Sequence, residues 1–154
     1  MSSISTKKLL AVAAALTVAA TFGLLGPAAA DPAPSHHGRI TVENVWITPG
    51  RTGDQSMLRF RIINESEDPV HLLGVTTPIA LDTRIIGRIG DHETATFESV
   101  SVRADTDLDL TSDHMWIELG PLTREVKSGE TIPLELVFLR TRIRTEAHVH
   151  GIGG

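Results

Sequence analysis

The sequence contains no cysteine among its 154 residues. This absence excludes thiolate metal sites, redox-active CxxC chemistry and disulfide bonds, so packing alone must hold the folded chain together. It also excludes a lipid anchor attached through the cysteine of a lipobox. Common catalytic signatures are missing as well: there is no G-x-S-x-G, no H-E-x-x-H and no glycine-rich phosphate loop. We therefore predict that the protein is not an enzyme.

The first thirty residues have the three parts of an export signal. Two lysines form a charged start, an uncharged apolar run extends from Leu9 to Leu25, and residues 27–30 (PAAA) resemble a signal-peptidase site. We predict a signal peptide over 1–30, cleavage near Ala30, and an extracytoplasmic location that is periplasmic, in the cell envelope or secreted. Because the apolar run approaches the length that spans a bilayer, a retained membrane anchor is the alternative.

Removal of this segment leaves 124 of the 154 residues, the size of one ordinary domain. It removes two lysines and no acid, which leaves 12 basic and 19 acidic residues and a net charge of −7 with histidine neutral. A net acidic surface argues against nucleic acid as a partner. We predict a flexible, proline-rich leader over 31–38, a folded domain over 39–150 and a short tail over 151–154.

Beyond the leader, no segment has the periodicity of a long amphipathic helix, and we find no internal repeat. Short runs of β-branched and apolar residues instead follow one another, separated by turn-forming sequences such as Thr48-Pro49-Gly50. Many short strands without helical crossovers favour an all-β, antiparallel sandwich. The predicted strands are 39–47, 57–64, 71–76, 82–86, 94–102, 108–110, 114–119, 131–139 and 143–149.

The segment from Asp113 to Phe138 has the clearest pattern. It reads as a strand, a Gly120-Pro121 break, a turn at 127–130 and a second strand with regular alternation. It resembles the C-terminal half of the PCu(A)C family of periplasmic copper chaperones, which reads roughly H-x-M-L-x-G-L, a hairpin, then L-x-L-x-F. Other pieces match the family in the same order, namely 43–46 (ENVW), 60–64 (FRIIN) and 71–80 (HLLGVTTPIA).

The resemblance implies a cupredoxin-like, Greek-key β-sandwich that binds copper and passes it to an acceptor such as a membrane-bound respiratory oxidase. The family holds copper with a His after its S-P-x-A segment, a Met after ten intervening residues, and the H-x-M pair. By position these ligands fall on Ile86, Phe97, His114 and Trp116, so only His114 is carried over as a copper ligand. Cu(I) is selected by thioether sulfur together with imidazole, whereas Trp adds only a cation–π contact of about 0.5–2 kcal/mol.

Met115 is a second candidate ligand because it carries a thioether beside His114. Side chains alternate along a strand, however, which puts His114, Trp116 and Glu118 on one face and Met115 on the other. The alternative for Met115 is an ordinary core residue, and for His114 a residue on a half-exposed strand without a metal role.

Histidines near the two ends form a further candidate metal site. His148 and His150 are expected on one face of the last strand, about 6.6 Å apart along it. Imidazole pairs suit Cu(II), Zn(II) or Ni(II), and some PCu(A)C members carry His- and Met-containing tails. His36 and His37 in the leader add ligands only if the two ends of the domain meet. Against a metal role, two arginines share the face of the last strand, and a solvated strand face with a loose linker is the alternative.

The acidic run at 105–109 (DTDLD) begins like a Ca²⁺ loop, but Leu110 and Trp116 stand where that loop needs Gly and Glu. We therefore predict a strand there with its leucines facing inward and its carboxylates in water. His71 and His92 occur singly and are expected at the surface.

Two functions of different class remain. In the first, the protein is a copper-binding, copper chaperone-like protein of the cell envelope. In the second, it is a metal-free, non-catalytic interaction module in which Ile86, Phe97 and Trp116 form an apolar patch at the former copper position.

Overall fold

The computed structural model describes the backbone of residues 35–37 and all atoms of residues 39–151. Within this part the chain forms eleven β-strands and no helix. The strands are β1 (Ser35–His37), β2 (Ile40–Ile47), β3 (Ser56–Asn64), β4 (Val70–Thr76), β5 (Thr83–Arg88), β6 (Thr94–Phe97), β7 (Val100–Val102), β8 (Thr106–Asp109), β9 (Met115–Leu119), β10 (Thr131–Phe138) and β11 (Arg142–Val149).

Regular alternation of apolar and polar residues is what makes these segments strands. In β11 the side chains at 143, 145, 147 and 149 are buried, whereas the intervening arginines and Glu146 are exposed. In β10 the same alternation buries four apolar residues, from Ile132 to Phe138. A period of two puts every second residue on the core face of a sheet, so both strands contribute one apolar row to the interior.

The strands join in the order β6-β5-β9-β3-β2-β11-β10-β4-β7, with β1 attached to β2 and β8 to β3. This confirms the prediction of an all-β fold without helical crossovers. Neighbouring strands pair antiparallel, as predicted, except at one place, where β11 runs parallel to β2 with His148 opposite Trp46. That pair links the N-terminal and C-terminal parts of the domain.

The core lies between the inward faces of these strands. Side chains that are completely buried come from both halves of the strand order, including Phe60 and Ile62 on β3, Ile117 on β9 and Leu136 on β10. Burial of a large aliphatic or aromatic side chain contributes about 1.5–3 kcal/mol. Packing of this kind has to supply the stability, since the chain has no disulfide.

The predicted strand over 94–102 is two strands in the structure. β6 pairs with β5, and β7 pairs with β4 at the other end of the strand order. The exposed residues Glu98 and Ser99 between them carry the chain from one end of the order to the other.

Residues 106–109 of the acidic run form β8, in agreement with the predicted strand. Leu110 is completely buried and Leu108 packs against the core, whereas the aspartates are exposed. Asp107 pairs with Arg61 at 3.0 Å, and Asp109 accepts hydrogen bonds from Thr111. These carboxylates therefore have protein partners.

Asn64, the last residue of β3, is polar yet completely buried, and its hydrogen bonds explain why. Its side-chain amide donates to the backbone carbonyls of Asp68, Val102 and Arg103 at 2.9–3.1 Å. Its side-chain carbonyl accepts from the amide and hydroxyl of Ser66. Every polar atom of the buried amide is thus satisfied, which fixes the loop before β4 against β7.

The turn before β10 has the form that the sequence predicts. Gly129 has a φ of 92°, which glycine adopts without strain, and the amide of Glu130 donates to the carbonyl of Lys127 at 3.2 Å. The carboxylate of Glu130 in turn accepts from the amide of Lys127 at 2.6 Å.

The signal-peptide prediction over 1–30 and residues 152–154 of the predicted tail lie outside the described residues. Among the residues that are described, no helix is long and apolar enough to cross a membrane. Ser35–His37 of the predicted leader pair with β2, His36 lying opposite Thr41.

Candidate functional site

Two of the four positions that correspond to the PCu(A)C copper ligands are direct neighbours. Trp116 on β9 lies opposite Ile86 on β5, so the two side chains share the outward face of the sheet. Ile86 is buried at 8% exposure although it does not belong to the central core cluster, and Trp116 is half-buried beside it. The row therefore holds an aliphatic side chain and an indole, neither of which donates a lone pair to a metal.

His114 immediately precedes β9, and its side chain is exposed. Its backbone carbonyl accepts a hydrogen bond from the amide of Arg88 at 2.8 Å, which continues the β5–β9 pairing by one residue. By alternation the His114 imidazole lies on the face of Trp116, and its neighbour across the strands is Arg88. Arg88 is thus the cross-strand neighbour of His114, so a guanidinium faces the one ligand residue that is retained.

Phe97 lies on the other face of the sheet. It is opposite Ile85, and its ring covers Gly87: a Cβ added to Gly87 would lie 2.5 Å from Cε2 of Phe97. The prediction that Ile86, Phe97 and Trp116 line one patch is therefore wrong for Phe97. The close contact with Gly87 could not be predicted from the sequence, because the spacing alone put Phe97 at a ligand position.

Met115 lies opposite Gly87 and packs against the hydrophobic core. The alternation along β9 is as predicted: Met115, Ile117 and Leu119 face inward, while Trp116 and Glu118 are half-buried on the outward face. The Met115 thioether and the His114 imidazole thus leave the backbone on opposite sides.

His148 and His150 border Trp46 at the end of β2. His148 is the direct register partner of Trp46, and its Nδ1 lies 3.4 Å from Oγ1 of Thr131. The His150 ring stacks on the Trp46 indole with centroids 4.6 Å apart and an interplanar angle of 26°. The two arginines that share this strand face pair with Glu135 on β10, which neutralises part of their charge.

His36 and His37 pair with a different part of β2 from His148. His36 is opposite Thr41, whereas His148 is opposite Trp46, five residues further along β2. At about 3.3 Å per residue this separates the two backbone positions by about 16 Å. Across residues 39–151, no group of three or more His, Asp or Glu side chains has the spacing of a metal site.

An open cleft of about 440 Å³ lies beside the Trp116 position. Its walls come from β2, β3, β5, β9 and the loop before β9, so it sits on the outward face of the sheet. The lining residues are Trp46, Met57, Arg59, Arg88, Thr111, Asp113 and Trp116.

Arg59 forms the floor of this cleft and is 5% exposed. Its guanidinium donates to the carbonyls of Thr111 and Ser112 and pairs with Asp113 at 3.1 Å. The same group lies over the Trp116 ring, 5.6 Å from the ring centroid, which is a cation–π geometry. Its Nε atom is buried without a hydrogen-bond partner among the described residues.

Arg88 differs from Arg59 because it is exposed and, within residues 39–151, its side chain has neither an ion pair nor a hydrogen bond. Sequence reasoning missed both arginines. The available signal was that Arg59 interrupts the apolar run of β3 at an outward position, and a charge there usually means only that the face meets water.

Three carboxyl groups have a lowered pKa, and none of them lines the cleft. A hydrogen bond from the Thr111 hydroxyl, with a second from its amide, lowers the pKa of Asp109. The Lys127 amide and then Arg124 lower the pKa of Glu130. The pKa of Glu135 is lowered first by the hydrogen bond from Arg144 and further by Arg142.

Over the described residues the fold defines a class of protein, a β-sandwich without helices, and this one has a cleft on its outward face. Comparison with known proteins makes this more specific. The profile of the LpqE-like family, described as lipoproteins, matches residues 40–149, and the chain belongs to this family. The 154 residues include no cysteine. No curated protein matches the sequence.

Solved structures with a similar fold are PCuAC domains. A copper-bound PCuAC domain from PmoF2 is 17% identical with a TM-score of 0.68, covering 78% of this chain and 99% of that domain. The apo PCuAC domain from PmoF1 is also 17% identical with a TM-score of 0.68, and the match covers 78% of this chain and 100% of that domain. The Cu(I) form of DR1885 from Deinococcus radiodurans is 23% identical with a TM-score of 0.52, and the match covers 70% of this chain and 77% of that chain. The chain thus has the fold of PCuAC domains, which confirms the predicted fold class and, at the level of the fold, the resemblance to the PCu(A)C family.

Proposed function

We propose that the protein is an exported, non-catalytic copper carrier that takes up copper outside the cytoplasm and delivers it to an envelope acceptor such as a membrane-bound respiratory oxidase. The observation that carries this proposal is the similarity over 99% of a copper-bound PCuAC domain. His114, which stands at a ligand position of that family, is exposed and accessible to an ion.

The donor set limits how copper is held. Ile86 and Trp116 supply no lone pair beside His114, and Arg88 and Arg59 bring positive charge to the same face. Like charges repel, and a single imidazole leaves most coordination positions of copper to water or to an acceptor. We therefore expect binding at His114 to be weak and copper to be easily released, which suits transfer more than storage.

The His148 and His150 pair is the second candidate for holding the ion. Two imidazoles on one strand face suit Cu(II) better than Cu(I), and Glu135 offsets the neighbouring arginines. Binding there would require the His150 ring to leave or share its stacking position on Trp46. Met115, His36 and His37 are not assigned a ligand role in this proposal.

The test is a titration of the purified exported protein with Cu(I), and separately with Cu(II), against a competing chelator. His114→Ala is expected to abolish Cu(I) binding, and the His148→Ala/His150→Ala pair to abolish Cu(II) binding. His92→Ala is the control, because His92 is an exposed histidine of the β5–β6 loop to which no ligand role is assigned. Copper binding that no histidine variant weakens, or no binding by the wild type, contradicts the proposal.

One observation favours the second candidate, a metal-free interaction module. One of the family's ligand positions, Trp116, lines a cleft with two guanidinium groups and two indoles. Arginine and tryptophan are the residues that most often dominate binding energy at protein interfaces.

A further inference from the structure

We infer that the outward cleft binds a small organic anion, with its carboxylate or phosphate group on the guanidinium of Arg88 and an apolar or ring-shaped body between Trp46 and Trp116. This goes beyond copper carriage, because none of the histidines assigned to the metal lines the cleft. The volume of about 440 Å³ falls within the usual range of small-molecule sites, about 300–1,000 Å³.

The charges of the cleft favour an anion. Two guanidinium groups line it and one carboxylate, Asp113, opposes them, which leaves one net positive charge. The Asp113 side chain is 85% exposed, so water screens it strongly, whereas Arg59 beneath it is buried. Arg88 has no partner within residues 39–151 and can offer a planar fork of donors to an oxyanion, which is the geometry that guanidinium groups use for carboxylates and phosphates.

The site is preorganised by Arg59. Two backbone carbonyls of the loop before β9 and the Asp113 carboxylate hold its guanidinium, and the Trp116 ring lies against it. Trp116 is thereby fixed as one wall of the cleft, while stacking on His150 holds Trp46 as the other. Aromatic walls give a large apolar contact at little conformational cost, so the body of the ligand gains affinity that a bare inorganic ion lacks.

The sequence contains two tryptophans, and both line the cleft, so intrinsic fluorescence reports directly on its occupation. The protein with EDTA present, and thus without copper, is titrated with phenyl phosphate, benzoate and inorganic phosphate at constant ionic strength. We expect saturable changes with phenyl phosphate or benzoate and weaker binding of inorganic phosphate. The better of the two organic probes identifies the head group as phosphate or carboxylate.

Three variants separate this site from a general charge effect. Arg88→Gln is expected to weaken binding of the better probe about tenfold, since a charge-assisted hydrogen bond is lost. Asp113→Asn is expected to tighten it severalfold, because the competing carboxylate is removed. Arg84→Gln is the matched control on the same strand face; Arg84 pairs with Asp82 outside the cleft and should leave binding unchanged.

The inference is overturned by any of three results: no saturation with either organic probe, inorganic phosphate binding as tightly as phenyl phosphate, or equal losses in Arg88→Gln and Arg84→Gln. Circular dichroism of each variant excludes unfolding as the cause, and Arg88 is chosen over the buried Arg59 for that reason. Failure of the copper titration does not affect this result, because the probes are measured without metal.

Discussion

The inward face of β9 carries Met115, Ile117 and Leu119, whereas the outward face carries Trp116 and Glu118, preceded by His114. The inward residues have the chemistry that core packing requires in any domain of this fold. Of the outward residues, Trp116 lines the cleft, and there an indole stands at a family ligand position. In this strand, packing constrains the inward residues and binding constrains the outward ones. The fold can therefore be recognised even where the binding residues differ.

Truncating each face of β9 in turn gives the largest expected difference. Ile117→Ala should lower the free energy of unfolding by about 3 kcal/mol, because it leaves a cavity in the completely buried core. Trp116→Ala should cost about 1 kcal/mol, mainly the lost contact with the Arg59 guanidinium. Urea unfolding followed by far-UV circular dichroism measures both. Equal losses would mean that the outward face supports the fold as strongly as the core does.

A second experiment tests on which face Phe97 lies. Gly87→Ala should cost about 2 kcal/mol by overpacking, since the new Cβ meets the Phe97 ring. The cost should disappear when Phe97→Ala is added. Gly90→Ala is the control, because a Cβ there meets its nearest neighbour at 3.8 Å. If Gly87→Ala were as harmless as Gly90→Ala, Phe97 would belong to the outward face with Trp116.

The smallest effect is expected at the charged outward face of the β10–β11 hairpin, far from the cleft. The folded pKa of Glu135 lies below its ordinary value of 4.5, so this group stabilises the fold above that pH. The stabilisation is lost as the pH falls through the folded pKa. In Arg144→Gln an NMR titration should show the Glu135 pKa rising towards 4.5, and Arg140→Gln, which alters an exposed arginine at the β10–β11 turn, should not change it. An unchanged pKa in Arg144→Gln would show that the ion pair is absent in solution.

Most of the fold could be predicted from the sequence because its strands alternate regularly. β10 and β11 differ by no more than one residue at either end from the predicted 131–139 and 143–149. The break within 94–102 could not be predicted, since the residues on both sides have the same strand-like composition and only the pairing partners differ. The parallel β2–β11 pair was equally hidden, because pairing direction leaves no mark on alternation.

The candidate site was much less predictable. Alignment with the PCu(A)C ligand pattern put Trp116 beside Ile86, and the two residues do lie opposite each other. It failed for Phe97, whose face depends on the hairpin between β5 and β6. Arg59 gained its importance from a loop fifty residues later in the chain, which supplies Thr111, Ser112 and Asp113. Contacts over such a distance in sequence are set by tertiary structure, which local patterns do not reveal.

The strands at the two ends of the order, β6 and β7, are four and three residues long and are separated only by Glu98 and Ser99. Short terminal strands leave little unpaired backbone to which the strand of another protein could add. Addition of a strand at these two edges is therefore disfavoured, which leaves side chains as the main means of recognition there. Binding specificity is then determined by side chains on the outward faces of the sheet. Single substitutions there can change the partner without disturbing the fold.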